Sequence, residues 1–224
     1  MPSHFTAAEI AALPDILSAP RFGTYVRADG HRLTTEEALR LYSWNAQISA
    51  ALLFPLHIFE VCIRNAVAEA IESYYGPRWP NAESFVKSLP NPPQPAFSPR
   101  REFLFTRAKH PTVGKMIADM KFAFWVSMFT ARHRDRLWAP SFEAKFPNHT
   151  APSWEDGRQH VHRTVDQVRT LRNRIAHHEP IFTRPLKDEY AVVINVIGWR
   201  CSHTAAWVER SQGVVALLAR KPIP

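Results

Sequence analysis

The sequence predicts an all-α protein, and three observations carry that expectation. Apolar residues recur at intervals of three and four along most of the chain, the spacing that lines one face of an α-helix. Capping pairs and prolines stand at the beginnings and ends of those periodic segments. No segment alternates apolar and polar residues as a half-buried strand does, and no solenoid-like repeat is present. With 46% apolar residues in 224, the chain has enough to fill a helical core, and seven Gly against 19 Pro leave little low-complexity sequence.

Thr6 and Glu9 have capping-box spacing and open a short helix that Pro14 bends or stops. Residues 1–30 are expected to be a peripheral segment without chemistry, and residues 31–224 a single helical domain. A second capping pair, Thr34 with Glu37, starts a long helix in which Leu39, Tyr42, Ile48 and Leu52 recur up to a break at Pro55. Beyond it Leu56, Phe59, Ile63, Val67, Ala70 and Tyr74 keep the rhythm, as a second or a kinked helix, until Gly76-Pro77. The Pro-rich stretch 77–99 cannot form a regular helix and is expected to be a long surface excursion. Ser98-Pro99 caps a helix running to about His110, and Thr112 to Trp138 is predicted helical, with Phe122, Trp125, Phe129 and Trp138 packed inside. From Ser153, the stripe Val161, Val165, Val168, Leu171 and Ile175 predicts a helix that Pro180 terminates. Two further helices, separated near Ser202, are predicted from Val192-Val193, Val196-Ile197, Trp207 and the run from Val214 to Leu218.

Lys and Arg outnumber Asp and Glu by 28 to 20, a balance that favours phosphate-rich partners without selecting a reaction. Cys62 and Cys201 each lie in an apolar run, which suits reduced thiols better than a disulfide framework, and no zinc-ligand spacing is present. The most apolar stretch, Ile48 to Ile63, is interrupted by Pro55, His57 and Glu60 and is expected to fall short of a membrane span; no secretory signal pattern precedes it. A cytoplasmic protein with no cofactor is expected.

The chemistry concentrates at Leu171-Arg172-Asn173-Arg174-Ile175-Ala176-His177-His178-Glu179-Pro180, the end of a helix next to a compulsory break. Asn173 and His177 share a helical face, whereas Arg172 and His177 diverge by about 140°. Two copies of this helix meeting across a two-fold axis would bring two Arg172 and two His177 to one cleft. There an imidazole can move the proton of a ribose 2′-hydroxyl while a guanidinium holds phosphoryl charge. Asn173 can orient the phosphate or the imidazole. The plain structural alternative is a solvated helix end, where basic groups suit the negative end of the dipole. A metal held by His177 or His178 with His160 or His162 is disfavoured, since these side chains do not face together. Glu60, Arg64 and Asn65 form a second polar cluster, in which Glu60 and Arg64 have ion-pair spacing.

The Arg-Asn-x-x-x-His arrangement at 172–177 resembles the HEPN ribonuclease motif. In the same order along the chain, Leu41-Tyr42-Ser43-Trp44-Asn45, Glu60-Val61-Cys62-Ile63-Arg64-Asn65-Ala66, Lys121-Phe122-Ala123-Phe124-Trp125 and Leu171 to Phe182 resemble the Abi-like branch of that superfamily. The resemblance runs from about Arg21 to the C-terminus. It implies a HEPN-like helical bundle with additional peripheral helices, and a metal-independent endoribonuclease acting as a toxin or abortive-infection phage-defence factor. Arg172 and His177 take the catalytic positions, with Asn173, Glu60, Arg64 and Asn65 in support. His178 also fits the spacing the motif permits. RNA is the implied substrate, the homodimer the active form, and an RNA or protein antitoxin a further partner. The competing expectations are a non-catalytic RNA-binding or antitoxin-regulated module and a purely structural dimerising protein.

Overall fold

The computed structural model describes residues 5–30 and 32–222, and among them every regular element is helical. The outermost ends of the two expected segments, and His31, lie outside the described residues. Thr6 and Glu9 close their reciprocal cap, the Glu9 amide donating to the Thr6 hydroxyl at 3.3 Å and the Thr6 amide to the Glu9 carboxylate at 2.7 Å. They start α1 (Ala7–Ile16), which has no buried residue. Pro14 falls in its last turn and bars little more than the helix end. In α2 (Ala19–Val26), by contrast, Phe22 and Tyr25 are buried, and the Tyr25 ring lies 4.9 Å from Tyr42 and 5.2 Å from Phe182. α1 thus adds no buried residue, whereas Phe22 and Tyr25 bring α2 into the core.

The Thr34–Glu37 box starts α3 (Thr35–Tyr75), a 41-residue helix that runs unbroken through Pro55 and stops at Gly76, whose φ of 80° favours glycine. The expected break is absent because Leu52, Leu56, Phe59 and Ile63 are buried on both sides of the proline. A missing amide costs about 3 kcal/mol, whereas each large buried side chain contributes roughly 1.5–3 kcal/mol. Continuity also corrects the expected shortness of the apolar stretch: by length and composition alone α3 could cross a membrane. One side of it, with Leu52, Leu56, Phe59 and Ile63, is packed by neighbouring helices, whereas Leu53 and Val61 are exposed.

Residues 77–99 are a surface excursion only in part: Asn91 and the residues 93–97 are exposed, but the first half is folded into the core. That half forms a 3₁₀ turn at Trp79–Asn81 and α4 (Glu83–Ser88), with Trp79, Phe85 and Leu89 buried. The prolines prevent a long helix, as expected, but the residues between them supply apolar area. Ring centroids of Trp79, Phe85 and Phe103 lie 5.2 to 5.9 Å apart. Phe103 belongs to α5 (Pro99–Lys109), which Ser98 caps by accepting from the Arg101 amide at 3.1 Å.

The helix expected from Thr112 to Trp138 is divided into α6 (Val113–Asp119), α7 (Phe122–Ser127), a 3₁₀ turn at Ala131–His133 and a π turn at Arg134–Trp138. Phe122, Phe124, Trp125, Met128 and Phe129 are all buried. A straight helix would point these side chains around most of its circumference, so the backbone bends at Met120-Lys121 and after Ser127 to bring them inside. A short α8 (Phe142–Lys145) follows.

Ser153 caps α9 (Trp154–Ala176), and the stripe from Val161 to Ile175 is buried as expected. Gly157 in its first turns lets the Phe142 ring approach: a Cβ there would meet Phe142 Cε1 at 2.5 Å. Gly157→Ala is therefore expected to destabilise by about 1–3 kcal/mol despite alanine's better helix propensity. A thermal-unfolding midpoint at or above that of the wild type would show that Phe142 yields freely. The chain closes with α10 (Leu186–Arg200), α11 (Ser202–Ser211) and α12 (Val214–Leu218), three helices where two were expected; a second break falls at Gln212-Gly213. α2, α9, α10 and α12 all pack on α3, and α11 packs on α10. The Trp44 indole donates to the Leu217 carbonyl at 2.7 Å, and the buried Asn45 amide oxygen accepts from the Ile181 amide at 2.8 Å. These bonds fix α12 and the chain after α9 to α3. Cys62 and Cys201 are free thiols.

Candidate functional site

Glu60 and Arg64 lie one turn apart on α3 and form the ion pair their spacing predicts. The Glu60 carboxylate also reaches across to α9, where Arg172 Nε stands 3.2 Å from Oε2. Glu60 thus holds two guanidiniums, both of which line the same surface. Arg64 is spent on the protein: besides Glu60, its Nη1 donates to the Ala118 carbonyl at 2.5 Å and lies 3.4 Å from that of Ile117. This ties the end of α6 to α3. Arg172 is different. It is exposed, and among the described residues its side chain has no partner other than Glu60, so its terminal amino groups remain available.

Arg172 and Arg64 separate two adjoining clefts. One, of about 400 Å³, is walled by Leu53, Leu56 and Val61 and carries His57 and Glu60. The other, of about 480 Å³, lies between α9 and the 118–123 segment and presents Lys121, Arg169 and Asn173. Arg169 is paired with Asp166 at 2.8 Å, and Lys121 with Glu102 at 3.1 Å. The one carboxylate lining this cleft, Asp119, is bound by Lys109 and His110, whose hydrogen bonds hold its pKa below the ordinary carboxylate range. The second cleft is therefore lined mainly by basic groups, most of them ion-paired at its edge, while the first is mainly apolar and carries His57 and Glu60.

The tip of α9 is built by the backbone. His177 is the C-cap, and His178 takes a left-handed φ of 55°. The His178 amide donates to the Ile175 carbonyl at 3.0 Å and the Glu179 amide to that of Arg174 at 2.8 Å, the paired bonds of a Schellman ending. A β-carbon is unfavourable in that conformation, so His178→Gly is expected to stabilise the fold by about 1 kcal/mol, measured by urea unfolding. No gain would mean that the imidazole makes a compensating contact.

Of the residues singled out in the sequence, the structure brings together Glu60, Arg64, Arg172 and Asn173. His177 and His178 are exposed at the end of α9 and line neither of the two clefts that Arg172 lines. No hydrogen bond joins the Asn173 side chain to either imidazole, and Asn65 is exposed outside both clefts. His57, Arg169 and Lys121 also line these clefts and are not among the sequence-predicted site residues. His57 stands at i−3 and i−7 from Glu60 and Arg64, a helical register that the Pro55 break obscured. Arg169 likewise precedes Arg172 by one turn, whereas nothing local places Lys121 opposite them. Among the described residues, no group of three or more His, Cys, Asp and Glu is disposed to hold a metal ion. No family model matches the chain, and no curated protein or solved structure matches it.

Proposed function

We propose that this protein is an endoribonuclease of the Abi-like HEPN type, built on a HEPN-like bundle and acting in the cytoplasm as a toxin or phage-defence factor. The observation that carries this reading is the Arg172 guanidinium. It is anchored through Nε by Glu60, its terminal amino groups are unpaired among the described residues, and it stands between a mainly apolar cleft and one lined mainly by basic groups. Such a donor fork fits two oxygens of a phosphodiester.

In the proposed reaction the 2′-oxygen of the substrate attacks the adjacent phosphorus and the bond to the 5′-oxygen breaks. An imidazole removes the 2′-hydroxyl proton, a protonated imidazole donates to the departing oxygen, and Arg172 balances charge on the phosphoryl oxygens. The products are a 2′,3′-cyclic phosphate and a 5′-hydroxyl, and the substrate's own hydroxyl is the nucleophile. Two His177 side chains would reach the site from a pair of α9 tips related by two-fold symmetry.

The test is incubation of the purified protein with RNA in excess chelator, followed by identification of the product ends. Cyclic phosphate termini formed by the wild type and lost in His177→Ala support the proposal; intact RNA at high protein concentration sinks it. A second reading, an RNA-binding module held by an RNA or protein antitoxin, is favoured by the separation of His177 from the Arg172 clefts in one chain. Retained RNA affinity without cleavage is its signature. Loss of cleavage in His57→Ala but not in His177→Ala would assign the imidazole to α3, since His57 lines the Arg172 cleft directly.

A further inference from the structure

The cleft lined by basic groups does not end at α9. Lys121, which lines it, also lines a third cleft of about 610 Å³ between the Pro-rich segment and α5. Two large apolar rings stand in that cleft unusually exposed, Phe97 at 39% and Phe105 at 68%. Both are excluded from the aromatic core formed by their neighbours Phe85 and Phe103. The segment that carries Phe97 is nonetheless held firmly. Arg101 donates to the Pro92 carbonyl at 2.7 Å, the Ala96 carbonyl at 3.0 Å and the Asn91 amide oxygen at 3.2 Å, and the Ser98 hydroxyl donates to Asn91 at 2.7 Å. Exposed rings on a braced backbone lose little freedom when a flat ligand settles on them.

We infer that Phe97 and Phe105 form a stacking platform for an unpaired nucleotide base, and that the strand carrying that base runs past Lys121 and Arg169 to Arg172. The inference rests on the proposal that RNA is the ligand, and assigns it a strand-binding site outside the α9 motif. Charge selects this occupant over an apolar protein surface. The platform opens through Lys121, an exposed ammonium paired with Glu102 of the same cleft, onto a cleft where Arg169 and Arg172 offer donors to successive phosphates. Arg169 is paired at the surface with Asp166, the terminal amino groups of Arg172 are unpaired among the described residues, and Arg64 is committed to Glu60 and the end of α6. Aromatic faces beside a cationic groove accept any base, and they need it unstacked from a duplex.

The test uses the full chain and a fluorescently labelled 2′-O-methyl oligonucleotide, which binds but lacks the hydroxyl needed for cleavage. Anisotropy titrations over a range of salt concentrations compare the single strand with the same strand annealed to its complement. The single strand is expected to bind more tightly. Phe105→Ala should weaken it about tenfold without changing the salt slope, and Phe105→Trp should preserve affinity. Lys121→Gln and Arg169→Gln should each lower the slope of log affinity against log salt by about 0.7. Ile16→Ala, an exposed aliphatic residue on α1, is the surface control. Since Phe105 is exposed, its variants should fold, and unchanged circular-dichroism melting confirms this for each protein.

Wild-type affinity in Phe105→Ala overturns the platform, as does equal binding of duplex and single strand. So does absence of binding by the wild-type protein. If the oligonucleotide binds as described but the corresponding RNA is left uncut, the binding track stands and the ribonuclease function falls.

Discussion

Arg172→Ala is expected to reduce RNA cleavage roughly 10²–10³-fold, the loss typical of removing a preorganised donor from a developing phosphoryl charge. The side chain is exposed, and its one ion pair is with Glu60, which retains Arg64 in the variant. The fold should therefore survive, and an unchanged melting curve separates lost chemistry from lost structure. Arg172→Lys keeps the charge but not the planar fork, so it should recover only part of the activity. Glu60→Gln should fall between wild type and Arg172→Ala in rate, because Arg172 keeps its charge but loses its anchor. It should also lower stability, since the mostly buried Arg64 loses its counterion. Single-turnover cleavage of a short RNA at saturating protein reads the chemical step apart from binding. Wild-type rates in Arg172→Ala would show that α9 contributes an interface and no chemistry.

Acid is expected to weaken the fold well before its carboxylates are generally protonated. His133 is buried in the 3₁₀ turn after α7, with its Nε2 unpartnered; burial foremost, then Arg136 and Arg132, push its pKa down to about 4. In the unfolded chain the imidazole titrates near its ordinary 6.5. Between these values the unfolded state binds a proton that the folded state refuses. The stability associated with neutral His133 is therefore complete above pH 6.5 and declines as pH falls towards 4, by up to about 3 kcal/mol. Glu155 extends the decline. Its hydrogen bonds from Arg158 lead the causes that bring its pKa to about 2 from 4.5, so the stability from that pair is lost as pH falls through this lower window. Urea unfolding at pH 7, 5.5 and 4 should show the upper part of the loss in the wild type and a flatter profile in His133→Leu. A wild-type profile that does not change from pH 7 to pH 4 would mean that His133 is protonated in the native state.

Helix positions were legible where one periodic face met a clear cap. The Thr6, Thr34 and Ser98 caps stand where the sequence places them, and the Val161-to-Ile175 stripe is buried. Local rules failed where packing outweighed them. Pro55 signals a break, yet the buried residues on either side carry α3 through it. Residues 77–99 are dominated visually by proline, but Trp79, Phe85 and Leu89 draw their first half into the core. The 112–138 region has a helical composition with apolar side chains on too many faces for one straight helix.

The sequence by itself determined the all-helical class, the polar Glu60–Arg64 pair on α3 and the basic tip of α9, because capping, ion pairing at i,i+4 and amphipathic periodicity act within a few residues of one another. Only the tertiary structure decided that Glu60 would bridge α3 to Arg172, that Lys121 would stand opposite Arg169, and that His177 would lie outside both clefts of its own chain. Those relations depend on how helices distant in sequence pack together. A shift of one residue in that packing moves a side chain about 100° around its helix, a displacement that no local pattern registers.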